Sequence, residues 1–213
     1  MITSYNQLPL GMWLRLQELQ ETIADETDLR VAIVAVLTGQ TEQDVLNAPI
    51  DDFRRWNAAA SFLETAPTDR GRTASSYKVG GFTLKPTSDL RKVTTAQFID
   101  FQSFAPQWKD RIPEMLSVFL VPDGCKYNDG YDVAEVQQAL RDHLSVADAL
   151  ALIAFFLRKL VALLRATRRS SDRLLKKTKD PEKRERIRTA WAQLEGAAET
   201  LLGAGAGSPA STT

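Results

Sequence analysis

Ala149-Leu150-Ala151-Leu152-Ile153-Ala154-Phe155-Phe156-Leu157 is the most apolar stretch of the chain, with Asp148 before it and Arg158-Lys159 after it. A bilayer crossing needs about 20 mostly apolar residues. This run is too short for that, so it reads as the buried part of a helix. Ser145 and Asp148 supply a start signal, and the helix they open is expected to run from Val146 to about Lys177. One long helix with a wholly apolar segment needs other helices to cover it, which sets the fold class.

Those helices are legible upstream. Pro9 suits a first turn, and Met12, Leu16, Leu19 and Ile23 recur every three or four residues, predicting a helix over 9–24 with one inward face. A second is expected over 28–38, capped by Thr27 and ended by Gly39. Its run Val31 to Leu37 is apolar on nearly all sides, so it should be central. Thr41 caps a short helix. After Pro49 another is expected over 50–63, with Phe53, Trp56, Ala60 and Leu63 inward.

Between 64 and 76 the composition turns to Pro, Thr, Arg, Gly and Ser, as in a linker. Tyr77 to Leu84 alternates around Gly80-Gly81, which reads as a two-residue hairpin with Val79 opposite Phe82 and Tyr77 opposite Leu84. Thr94 and Gln97 form a capping box for a helix to Phe104, with Phe98, Phe101 and Ile99 inward. Met115 to Val121 is short and apolar and fits a helix or a strand. Residues 122–132 read as a Gly/Asn/Asp loop, and Asp132 with Glu135 opens a helix to about His143. The expected fold is therefore mainly α: an irregular multi-helix bundle with one short β-hairpin near 77–84 and a C-terminal helical arm. The divisions are an N-terminal helical part (1–63), a linker with hairpin (64–93), a second helical part packing on the first (94–178), an amphipathic arm (179–202) and a disordered tail (203–213).

The 213 residues are 44% hydrophobic and 25% charged, as in ordinary globular proteins. Net charge is zero but unevenly placed: 16 Lys+Arg against 21 Asp+Glu up to Leu164, and 11 against 6 from Arg165 onward. Arg165, Arg168, Arg169, Arg173, Lys176 and Lys177 crowd one segment. That segment is either a solvated helix face or a contact for nucleic acid or an acidic protein. Few aromatics interleave it, which argues against base stacking. Past Asp180-Pro181, Ile187, Trp191, Leu194, Ala198 and Leu201 make one apolar stripe, which either folds back on the body or meets a partner helix.

Reactive groups are sparse. His143 is the single histidine and Cys125 the single cysteine, so a zinc site lacks ligands and no intramolecular disulfide can form. A lone thiol fits a reducing compartment. Met1 to Asn6 has neither a positive region nor an apolar run, so no secretory signal is expected there and a cytoplasmic location is. Asp123, Asn128, Asp129 and Asp132 offer hard oxygens for a cation, but their spacing is not that of an EF-hand, and turn chemistry plus a helix cap accounts for them. Asp51-Asp52 reads as favourable charge in a helix first turn. No catalytic residue, cofactor, metal or membrane partner is expected.

Several runs resemble small proteins of tailed bacteriophages. They are Val36-Leu37-Thr38-Gly39 with Glu42, Val45-Leu46-Asn47 and Pro49; Thr94 to Phe101; Leu116 to Pro122; Lys126-Tyr127-Asn128-Asp129-Gly130-Tyr131-Asp132; and Leu144-Ser145 with Asp148-Ala149-Leu150. The family is similar to tail-assembly or baseplate-assembly chaperones and related virion components, and the likeness spans about Leu8 to Leu164. It implies a non-catalytic protein-binding factor in the host cytoplasm or the virion. The implied partner is another phage protein (a tape-measure, tail or baseplate component) or a second copy; nucleic acid, bound through the basic 165–188 segment, is the lesser alternative and rests on charge alone. A structural part of the virion is the other reading. Trp is enriched at binding hot spots, so Trp13, Trp108 and Trp191 are candidate contact residues, with Ile187, Leu194 and Leu201 of the last stripe. Trp56 is assigned to core packing.

Overall fold

The computed structural model describes residues 1–65, 73–87, 89–104, 107–108 and 110–177, with the side chains of the last helix described to Leu160 and at Ala162. The stripe at Ile187, Trp191, Leu194, Ala198 and Leu201 and the tail from 203 lie outside these residues. The protein is mainly helical with a small three-stranded antiparallel sheet. The elements are α1 (Leu10–Thr22), α2 (Glu26–Thr38), α3 (Glu42–Leu46), α4 (Ile50–Ala59), β1 (Tyr77–Val79), β2 (Phe82–Pro86), α5 (Thr95–Phe104), α6 (Ile112–Phe119), β3 (Leu120–Pro122), α7 (Val133–His143) and α8 (Val146–Lys177). Among the described residues no helix is long and apolar enough to cross a membrane.

Two compact units divide the chain: 1–88 with 94–153, and 89–93 with 154–213. In the first, α2 is central because it is apolar on two sides. Ala32 and Leu37 join Leu8, Leu16, Leu19, Ala60 and Val146 in one cluster, while Val31, Val34 and Ala35 join Val45 in another, with Phe53 and Trp56 packed against it. The cap of α2 is Asp25, not Thr27: its carboxylate accepts from the Thr27 and Asp28 amides. A carboxylate at this position also meets the positive end of the helix dipole. Gly39 ends α2 at φ 71° as expected, and Thr41 with Asp44 caps α3. α4 tightens into a 3-10 turn at Ala60–Glu64 instead of staying α-helical to Leu63. Met12 is 36% exposed, off the inward face given by Leu16 and Leu19.

The entry to α1 and the α7–α8 junction form a short antiparallel bridge. The Leu10 amide donates to the Leu144 carbonyl (2.8 Å) and the Val146 amide to the Leu8 carbonyl (2.9 Å). Leu8, Leu10, Leu144 and Val146 are all at or below 1% exposure, and each such side chain contributes roughly 2 kcal/mol by leaving water. α1 crosses α7 closely at Gly11, where a Cβ would stand 3.1 Å from the Arg141 carbonyl oxygen.

The hairpin has the expected register, Val79 opposite Phe82 and Tyr77 opposite Leu84. Gly80 and Gly81 take φ 52° and 86°, the left-handed conformation such a turn requires. The apolar run near 115–121 is both helix and strand. α6 opens with Pro113 in its first turn and passes directly into β3, which pairs with β2 through Leu84 and Pro122. In the second unit, Phe155 and Phe156 stack edge-on at 5.2 Å and the Lys159 ammonium lies 5.5 Å from the Phe155 ring centre. Asp89 there pairs with Arg91, whose guanidinium holds its carboxyl down at about 2.

Candidate protein-binding surface

α5 is built from its cap. The Thr94 hydroxyl accepts from the Gln97 amide (3.2 Å), and the Gln97 side-chain oxygen accepts from the Thr94 amide (2.9 Å). The Gln97 Nε2 is left over and donates to the Val118 carbonyl at 2.7 Å. Val118 is in the last turn of α6, where carbonyls lack partners within the helix. One glutamine thus starts α5 and satisfies the end of α6, and only 5% of it is exposed.

That contact sets the rotation of α5. Phe101, four residues on, meets Phe119 at 5.4 Å, and the Arg111 guanidinium lies 5.8 Å from the ring centre of Phe104. The Asp100 carboxylate accepts from the Tyr127 hydroxyl at 2.7 Å. Burial, then this carboxylate, pushes the Tyr127 hydroxyl pKa up. With Gln97 inward, Phe98 and Ile99 turn outward and are 44% and 58% exposed. This corrects the expectation that both face the core. Periodicity gives the spacing of a face but not its direction, and the α6 carbonyl decides the direction. The outcome is a helix docked through Gln97, Asp100 and Phe101, with Phe98 and Ile99 exposed beside the polar Thr95, Gln102 and Ser103. Its one charged residue, Asp100, is on the docked side.

Two more apolar spots are exposed. Leu46 and Ile50 flank Pro49 and are 63% and 61% exposed. Met12 lies in an open groove of about 380 Å³ lined also by Val36, Arg15 and Arg141. Arg141 is engaged by Glu114 of α6 (2.7 Å), and Arg15 by Glu18 (2.7 Å). The other oxygen of Glu114, Oε2, is buried with no hydrogen-bond partner among the described residues.

Trp13 is half-buried against the first core cluster and Trp56 against the second. Trp108 is half-buried just after α5. Arg165, Arg168, Arg169, Arg173, Lys176 and Lys177 lie along the backbone of α8. Ile187, Trp191, Leu194 and Leu201 lie outside the described residues. His143 is exposed at the end of α7, and the Cys125 thiol sits 3.8 Å from the Gly130 carbonyl in the loop before it. Of the loop oxygens, Asp123 pairs with Lys85 (2.7 Å) and Asp132 caps α7 through the Ala134 amide (2.8 Å). Asn128 takes φ 59° in the turn. Among the described residues no group of three or more His, Cys, Asp or Glu could hold a metal ion.

No protein-family model matches the chain, and no curated protein and no solved structure matches it.

Proposed function

We propose that the protein is a non-catalytic binding factor that holds another protein during assembly of a bacteriophage tail or baseplate. The observation behind this reading is the outer side of α5, where Phe98 and Ile99 stand exposed. An exposed apolar pair on a helix is suited to a groove on a partner, and a buried aromatic anchor is the usual energetic centre of such a contact. The resemblance of the Thr94–Phe101 run to tail-assembly proteins bears on the same segment. The test is co-expression with tape-measure, tail and baseplate proteins and capture on the tagged chain. One of them should co-purify, and Phe98→Glu with Ile99→Glu should release it. Retention by the double variant would overturn the reading. Absence of the protein from finished virions separates a chaperone from a permanent component.

A second reading rests on α8 continuing as helix through the basic segment 165–177. Nucleic-acid binding there requires DNA retardation that weakens steeply with salt and is lost when the six cations become Gln.

A further inference from the structure

We propose that α5 is a detachable helix that opens as one unit while the rest of the first unit stays folded. The inference goes beyond the binding reading and does not depend on any partner. Among the ten residues of α5, Gln97 alone is buried, whereas the eight-residue α6 buries Ile112, Pro113, Leu116, Ser117, Val118 and Phe119. α5 packs chiefly on α6. Two of the contacts that dock it are polar, Gln97 to the Val118 carbonyl and Tyr127 to Asp100, and two are aromatic, Phe101 with Phe119 and the Arg111 guanidinium over Phe104.

Water replaces a hydrogen bond at modest net cost, whereas it cannot replace apolar burial. An element with so little apolar burial therefore opens at a fraction of the free energy of global unfolding. Both polar anchors release together, because Gln97 and Asp100 are one turn apart on the same helix. Opening uncovers the Val118 carbonyl and the Phe119 ring, while Phe98 and Ile99 are already outside. In the open state both faces of α5 are available, so a partner groove can wrap the helix and not just cap it.

Native-state hydrogen exchange on the full chain tests this. Amides from Phe98 to Phe104 should exchange on the order of 100-fold faster than those of Leu116–Phe119 and Val136–Leu140. Tyr127→Phe should raise the α5 rates a further ~5-fold and leave α6 and α7 unchanged. Phe98→Ser with Ile99→Ser, which alters only the outer face, should leave α5 exchange within about 2-fold, since exposed side chains carry little docking energy. Equal protection of α5 and α6, a Tyr127→Phe effect shared by α7, or insensitivity of α5 to Tyr127→Phe would each overturn the proposal.

Discussion

A Cβ built on Gly80, in the hairpin turn, would stand 2.7 Å from the Cβ of Ala139 on α7. The turn is thus seated on the helix with no room for a side chain. Gly81, beside it, also has positive φ but meets nothing within 4 Å. The two glycines therefore separate strain from crowding. Gly81→Ala carries only the left-handed penalty, about 1 kcal/mol. Gly80→Ala adds overpacking and should cost roughly 2–4 kcal/mol in total. Urea unfolding of both variants decides it, and equal losses would mean that the hairpin does not rest on α7.

Arg141 and Glu114 join α7 to α6, with side chains 33% and 19% exposed. The carboxylate is the more buried partner, and its second oxygen has no hydrogen bond among the described residues. Removing the guanidinium leaves that charge stranded, whereas removing the carboxylate leaves a cation that reaches water. Arg141→Met should therefore cost more, about 2–3 kcal/mol, than Glu114→Leu at about 1 kcal/mol. Combining them should recover stability relative to Arg141→Met alone. A double variant as unstable as the two losses added would refute this ordering.

The hairpin register was readable because its information is local. Alternation at Tyr77, Val79, Phe82 and Leu84 and two adjacent glycines leave one pairing. The capping residues Thr41, Thr94, Asp132 and Ser145 were readable for the same reason. Three features were not. The direction of α5 depends on a carbonyl 21 residues away, at Val118. The Tyr127–Asp100 bond spans 27 residues, and neither residue signals the other. β3 is three residues directly after a helix, too short for a period of two to declare itself. Trp13 packs beside Leu16 and Leu19, a placement that follows from helix packing and that spacing alone leaves open.

The four tyrosines, Tyr5, Tyr77, Tyr127 and Tyr131, all have their hydroxyl pKa raised, with burial the first cause in each. The folded state therefore prefers the neutral phenol. The stability this confers is complete below the unfolded value of about 10 and is lost as pH rises above it. Four phenols act on total stability together, so it is a poor readout of any one. The difference between wild type and Tyr127→Phe isolates one group. That difference should be about 1 kcal/mol at neutral pH, from the lost bond to Asp100, and should shrink from pH 10 upward. A constant difference from pH 7 to 11 would mean that Tyr127 is not held neutral in the fold.

The outward placement of Phe98 and Ile99 has a consequence for stability that separates it from the sequence expectation. Two large apolar residues in a core lose several kcal/mol on truncation, with 3–5 kcal/mol typical for Phe alone. At 44% and 58% exposure, the same residues keep about half of their contact with water, so substitution there costs far less than in a core, within about 0.5 kcal/mol each. Phe98→Ser with Ile99→Ser should therefore unfold within about 1 kcal/mol of wild type, while Phe101→Ala, whose ring meets Phe119, should lose more. Solubility supplies a second check with the opposite sign to an ordinary core lesion. Removing an exposed apolar pair should raise the concentration at which the protein stays monodisperse, because the patch that α5 displays is gone. If the double Ser variant instead unfolds early and aggregates, then Phe98 and Ile99 face the core, and the docking of α5 through Gln97 and Asp100 is wrong.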